Sequence, residues 1–115
     1  MTAMKYYTGE RPAGTAHVRV VNLGEGDQPL DPRLDLMNHS PDGFDWGYGG
    51  SGPAQLALAL LADAVGNDAI ALRYHLEFKN GFVSRLSGNK WTIPADYVRG
   101  WARAMAMVDR RVGQG

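Results

Sequence analysis

Hydrophobic and polar positions change their period several times along this chain. Near the start, Tyr6 and Tyr7 precede the turn residues of "GERPAG", and in "AHVRVVN" Val18 and Val20 alternate with His17 and Arg19. Such alternation turns one side of a strand to the core and the other to water. A second turn, "GEGDQP", precedes Leu30, so the first thirty residues predict a hairpin or three-stranded meander.

After residue 50 the pattern becomes helical. Leu56, Leu58, Leu60, Leu61 and Val65 leave little room for a polar side, Gln55 and Asp63 being the only strongly polar residues among them. A helix apolar on nearly every side is a buried one, so residues 52–65 are expected to form the central helix. Ser51-Gly52-Pro53 offers a hydroxyl or glycine N-cap with proline in the first turn, and Gly66 offers the stop. A second helix is expected from Asn67 or Asp68 to just before "KNG", with Ile70, Tyr74 and Phe78 on one stripe and Leu72 and Leu76 beside it. "FVSRL", residues 82–86, reads as a strand and "SGNK" as a turn. Thr92-Ile93-Pro94-Ala95 repeats the earlier helix-start signal, and Val98, Trp101, Met105 and Val108 then share a stripe. The expected class is α+β: a small, mainly antiparallel sheet of three to four strands packed with three helices. One compact domain should span residues 1–112, with 113–115 as a frayed tail.

Composition narrows the function. With 44% apolar and 21% charged residues the chain suits a globular domain, and with no cysteine it has neither disulfides nor thiolate metal sites. The early residues lack a signal-peptide run and no stretch is long enough to span a membrane, which points to a soluble, cytoplasmic protein. The formal charge is zero but unevenly spread: +2 over residues 1–23, −6 over 24–65 and +4 over 66–115. This balance argues against nonspecific nucleic-acid binding, while the acidic middle suits either a solvated loop or a basic protein partner.

The richest stretch is "SPDGFDWGYGGSGPAQLALALL", residues 40–61, and it admits four readings. Gly49, Gly50, Ser51 and Gly52 at a helix N-terminus could cradle a phosphate or nucleotide. Neither glycine-motif spacing fits, no lysine is present, and Asp42 and Asp45 would repel an anion. Asp31, Asp35, His39, Asp42 and Asp45 offer oxygen and nitrogen ligands, but without a calcium-loop or two-histidine spacing; turn capping suits them better. Ser51 as a nucleophile lacks the strand-to-helix elbow, and His17, His39 and His75 fall on different predicted elements. The fourth reading is a protein-binding surface: Phe44, Trp46 and Tyr48 alternate through the loop, which would turn all three to one side of an extended segment, and with Asp42 and Asp45 nearby the aromatic anchors would sit among carboxylates. The same rings would also suit the edge of a core, with Trp46 buried and Tyr48 projecting.

The segment "LDPRLDLMNHSPDGFDWGYGGSGPAQLALALL", the Tyr7-x-Gly9 start, Phe78-Lys79 and Trp91 resemble a small family catalogued only as a domain of unknown function. Its members are scattered over bacterial chromosomes, plasmids, integrative elements and phages. The resemblance implies no activity, but that setting favours small proteins that bind host machinery. The expected function is therefore a non-enzymatic accessory protein, without cofactor, that binds a basic protein surface and inhibits a bacterial defence complex. The alternative is a small-ligand or nucleotide-binding domain built on Gly47–Gly52.

Overall fold

The computed structural model describes residues 4–114, with side chains described as far as Arg110. Strands β1 (Lys5–Glu10), β2 (His17–Asn22) and β3 (Gly26–Pro29) form the predicted meander. Helices α1 (Ser51–Val65) and α2 (Asp68–Gly81) follow, then a 3-10 turn over Val83–Arg85, strand β4 (Lys90–Pro94) and helix α3 (Ala95–Gln114). The sheet is antiparallel throughout, in the order β3-β2-β1-β4. The chain is thus α+β, with four strands and three helices.

Alternation does what it predicts on β2, where Val18 and Val20 are buried and His17 and Arg19 exposed. On β1 the inward positions are Tyr7 and Gly9, and Gly9 pairs with Trp91 of β4. A side chain on Gly9 would run into the Trp91 indole, so the glycine makes room for the ring across the strand pair. Trp91 in turn meets Trp46 edge to face at 5.3 Å.

Helix α1 is the buried rod that its leucines require: Leu56, Leu58, Leu60 and Leu61 have no exposed surface. It ends at Gly66, which adopts the left-handed conformation (φ 71°) and returns its N–H to the Ala62 carbonyl. Its start differs from expectation. The N-cap is Gly50, no side chain caps the helix, and Ser51 is its exposed first residue. Pro53 does occupy the first turn. Residues 31–41 are bound to α1 through Gln55, whose Oε1 accepts from the N–H groups of His39 (2.8 Å) and Ser40 (3.1 Å). The Gln55 amide donates to the carbonyls of Pro32 (2.6 Å) and Met37 (3.1 Å). The one fully buried polar side chain of α1 therefore uses all its hydrogen-bonding capacity.

Four boundaries are corrected. Only the first two residues of "GEGDQP" are turn; the other four, Gly26–Pro29, form a strand that pairs with β2. Helix α2, capped by Asn67 as expected, continues through "KNG" to Gly81. Residues 82–86 are not a strand: the N–H groups of Phe82, Arg85 and Leu86 bond to carbonyls three or four residues back, and Phe82 stacks on Phe78. The fourth strand instead lies at "KWTIP", and Ala95 opens α3 directly after it, without a cap from Thr92. On α2, Leu76 is exposed and Ala71 and His75 take inward positions; on α3, Val98 is buried but Val108 is exposed. Helix α3 runs to Gln114, and Gly115 lies outside the described residues.

Candidate functional site

The glycine-rich loop before α1 is held by Arg11, at the end of β1. One guanidinium nitrogen donates to Asp45 Oδ1 at 2.5 Å and to the Trp46 carbonyl at 3.1 Å. The other terminal nitrogen reaches the Gly88 carbonyl (3.0 Å), and Nε reaches Asn89 Oδ1 (3.3 Å). The same guanidinium lies 4.4 Å from the Trp46 ring centroid, a cation–π contact. Arg11 thereby ties the loop to the turn before β4. A planar fork with several fixed donors suits this task in a way that an ammonium would not.

Around this centre the loop residues fall into place. Trp46 has no exposed surface, and its indole N–H donates to the Gly88 carbonyl at 2.9 Å. Asp45 Oδ1 also accepts from the Trp46 N–H (3.0 Å), and Asp45 Oδ2 accepts from the Tyr48 hydroxyl (3.0 Å). Burial raises the Asp45 pKa, but the hydrogen bonds from Arg11, the Trp46 N–H and Tyr48 outweigh it and hold the carboxyl below its usual range. Burial and the adjoining Asp45 both push the Tyr48 hydroxyl up, so it stays a donor. The Gly47 N–H donates to the Val83 carbonyl at 3.1 Å, which explains how residues 82–86 serve the loop instead of the sheet.

Of the residues proposed as partner contacts, Trp46 is core, Phe44 packs partly against the core, and Asp45 is enclosed in the Arg11 cluster. Their alternation does not turn them to one side, because the segment is bent and not extended. Tyr48 is half-exposed (50%) and Asp42 is exposed, so these two form the accessible rim. The glycines serve packing. Gly47 adopts a φ of +89° that side-chain-bearing residues rarely take. A Cβ on Gly50 would meet the Tyr48 ring at 2.6 Å, and one on Gly52 would meet Asp45 Cβ at 2.9 Å. An anion approaching Gly52 would therefore meet Asp45. Gly49 has open space around it, and Ser51 is exposed.

The other candidate ligands are engaged locally. Asp31 Oδ1 accepts from the Arg33 N–H, and Arg33 holds both Asp35 and Asp68, bridging the loop to the start of α2. No group of three or more metal-ligating side chains occurs among the described residues. His39 meets His75 instead: their Nε2 atoms are 2.9 Å apart, and His75 Nδ1 lies 2.8 Å from the Leu72 carbonyl. A carbonyl only accepts, so His75 Nδ1 carries a proton; in the neutral pair His39 donates through Nε2 to His75. Burial first, then His75 and Lys79, lowers the His39 pKa from 6.5. Sequence reasoning placed these histidines on separate elements and missed their meeting. It also missed Arg11, which carried no local signal, whereas Gln55 stood out, with Asp63, as a strongly polar side chain in a leucine-rich helix.

Much of the acidic excess of residues 24–65 is neutralised within the fold. Asp27 pairs with Arg19 at 2.6 Å, Asp63 with Lys5 at 2.6 Å, and Asp45 and Asp35 with Arg11 and Arg33. Asp63 also accepts from the buried Tyr7 hydroxyl at 2.7 Å; burial and then Asp63 push that phenol far above its usual range. No helix among the described residues is long and apolar enough to cross a membrane.

The sequence pattern of one family covers residues 7–104 of this chain, from Tyr7 through the loop to the middle of α3. The chain belongs to that family, DUF6166, described as a family of unknown function. No curated protein and no solved structure matches it.

Proposed function

We propose that this member of the DUF6166 family is a non-catalytic binding protein that engages another protein through the Asp42–Tyr48 rim of its glycine-rich loop. The observation that carries the reading is Tyr48. Its ring is half-exposed, yet its hydroxyl is bonded to Asp45, which Arg11 holds in turn. An aromatic side chain restrained before contact loses little entropy on binding, which is the property of an interface anchor. Asp42 adds an exposed carboxylate on the same loop, so the partner surface is basic.

In its finer form the reading makes the chain a cytoplasmic, mobile-element inhibitor of a nucleic-acid-guided defence complex, with the rim competing for basic residues that would otherwise hold nucleic acid. What supports this form is the setting implied by the resemblance, together with an exposed ring and carboxylate on one loop. The test is affinity capture from nuclease-treated bacterial lysate with the wild-type chain and with Tyr48→Ser and Asp42→Asn. Both variants should melt within a few degrees of wild type and lose the captured protein; capture that is equal for all three would refute the rim as the contact.

A further inference from the structure

The face opposite in charge to the loop lies between α2 and α3. The small side chains of Ala69, Ala102 and Ala106 line the space between them. Two adjoining cavities, about 250 and about 390 Å³, share Ile70 and Ala106. Val65, Ile70, Ala102 and Ala106 form an apolar floor for the first, with Arg99 and Arg103 beside it. Arg73, Tyr74, Asp109 and Arg110 extend the groove along the second.

The carboxylates within reach of the groove are already engaged. Asp109 accepts from the Tyr74 hydroxyl (2.5 Å) and pairs with Arg73 (2.9 Å), and Asp96 pairs with Arg99 (3.0 Å). Arg103 and Arg110 are exposed and make no ion pair among the described residues. They stand seven residues apart on one face of α3, roughly 10 Å at the rise of an α-helix. Side chains on one side of an extended chain recur at every second residue, roughly 7 Å apart for i and i+2 and about 13 Å for i and i+4, which brackets the span of the two flexible guanidinium groups.

We propose that this groove binds an acidic peptide segment of a partner protein, with one apolar side chain seated on Ile70 and Ala106 and its carboxylates on Arg103 and Arg110. The site is independent of the Tyr48 rim. A peptide suits it better than nucleic acid for two reasons. The floor is apolar and would be filled by a side chain but not by a phosphate backbone, and a chain of zero formal charge lacks the long-range field that gathers nucleic acid.

The test is an NMR and fluorescence titration of the full chain with a labelled peptide of glutamates around a central leucine. Controls are the same peptide with serine for leucine, a lysine-for-glutamate peptide and a single-stranded oligonucleotide. The glutamate–leucine peptide should shift the methyl signals of Ile70, Ala102 and Ala106. It should bind at least tenfold more weakly to Arg103→Glu/Arg110→Glu, whose exposed positions leave the melting temperature close to wild type. Serine in place of leucine should also weaken binding severalfold, and Tyr48→Ser should leave it unchanged. No binding of the acidic peptide, unchanged affinity in the double variant, or tighter binding of the oligonucleotide would each overturn the proposal.

Discussion

Gln55 shows how much one side chain can organise here. It is buried in a helix of leucines and alanines and satisfies four backbone groups of residues 32–40. Gln55→Leu keeps the bulk but strips partners from those partly buried groups. The expected loss is about 3 kcal/mol, read as a lower urea midpoint with little change of slope. Gly9 makes the complementary case, in which the missing side chain is what matters. Gly9→Ala should destabilise by roughly 1–3 kcal/mol, because a methyl group would occupy the place of the Trp91 ring. Adding Trp91→Leu should recover part of that loss; strictly additive effects in the double-variant cycle would contradict the contact. Residues of this kind differ in how visible they are in a sequence. A lone amide among leucines invites the question of what it bonds, while nothing near Gly9 announces a tryptophan 82 positions later.

At the level of elements, the His39–His75 contact links the 31–41 loop to α2 and gives that link a pH dependence. The charged and titratable groups facing His39 are His75 and Lys79, both from α2, while α1 contributes the uncharged Gln55 to its backbone. Its folded pKa is depressed, so between the folded value and 6.5 the unfolded chain holds more protons than the folded one. The contribution is complete above the unfolded value and is lost as pH falls from about 6.5 through the folded pKa. Melting temperature should therefore fall between pH 7.5 and 5.5, and His39→Gln should flatten that fall; an unaltered slope in the variant would contradict the assignment. Local pattern revealed α2 and β2 because each has most of its apolar positions on one face, and α1 because it is apolar on nearly every side. It misread residues 82–86, where Phe82 and Val83 are apolar for different purposes. The Phe82 ring stacks on Phe78 of the preceding helix, while the Val83 side chain is fully buried in the core and its carbonyl receives the Gly47 N–H from 36 residues away. Lys90–Pro94, with only Ile93 fully inward and Trp91 half covered, carried too short a pattern to compete with the helix-start signal at Thr92.

Over the whole molecule, the charge segregation of the sequence is largely folded away. Arginines and a lysine of the N-terminal segment meet the aspartates of the middle segment, while Arg103 and Arg110 on α3 and Asp42 and Tyr48 on the loop are among the side chains that stay exposed. A sequence records net charge by segment, but not which charges pair, since Arg11 and Asp45 are 34 positions apart. The loop itself was legible as a place where something must be fixed. What fixes it is the side chain of Arg11, just past β1, and two carbonyls, of Gly88 before β4 and of Val83 in the 3-10 turn. That loop, locked by Arg11 and carrying Tyr48 on its rim, is the premise of the functional proposal. Amide hydrogen exchange at Trp46 and Gly47 tests it most directly, because both N–H groups are bonded, to Asp45 and to Val83. These amides should exchange slowly, near the rates of α1, and should become fast in Arg11→Ala while α1 stays protected. Fast exchange in the wild-type chain, or protection that survives the loss of Arg11, would contradict the account.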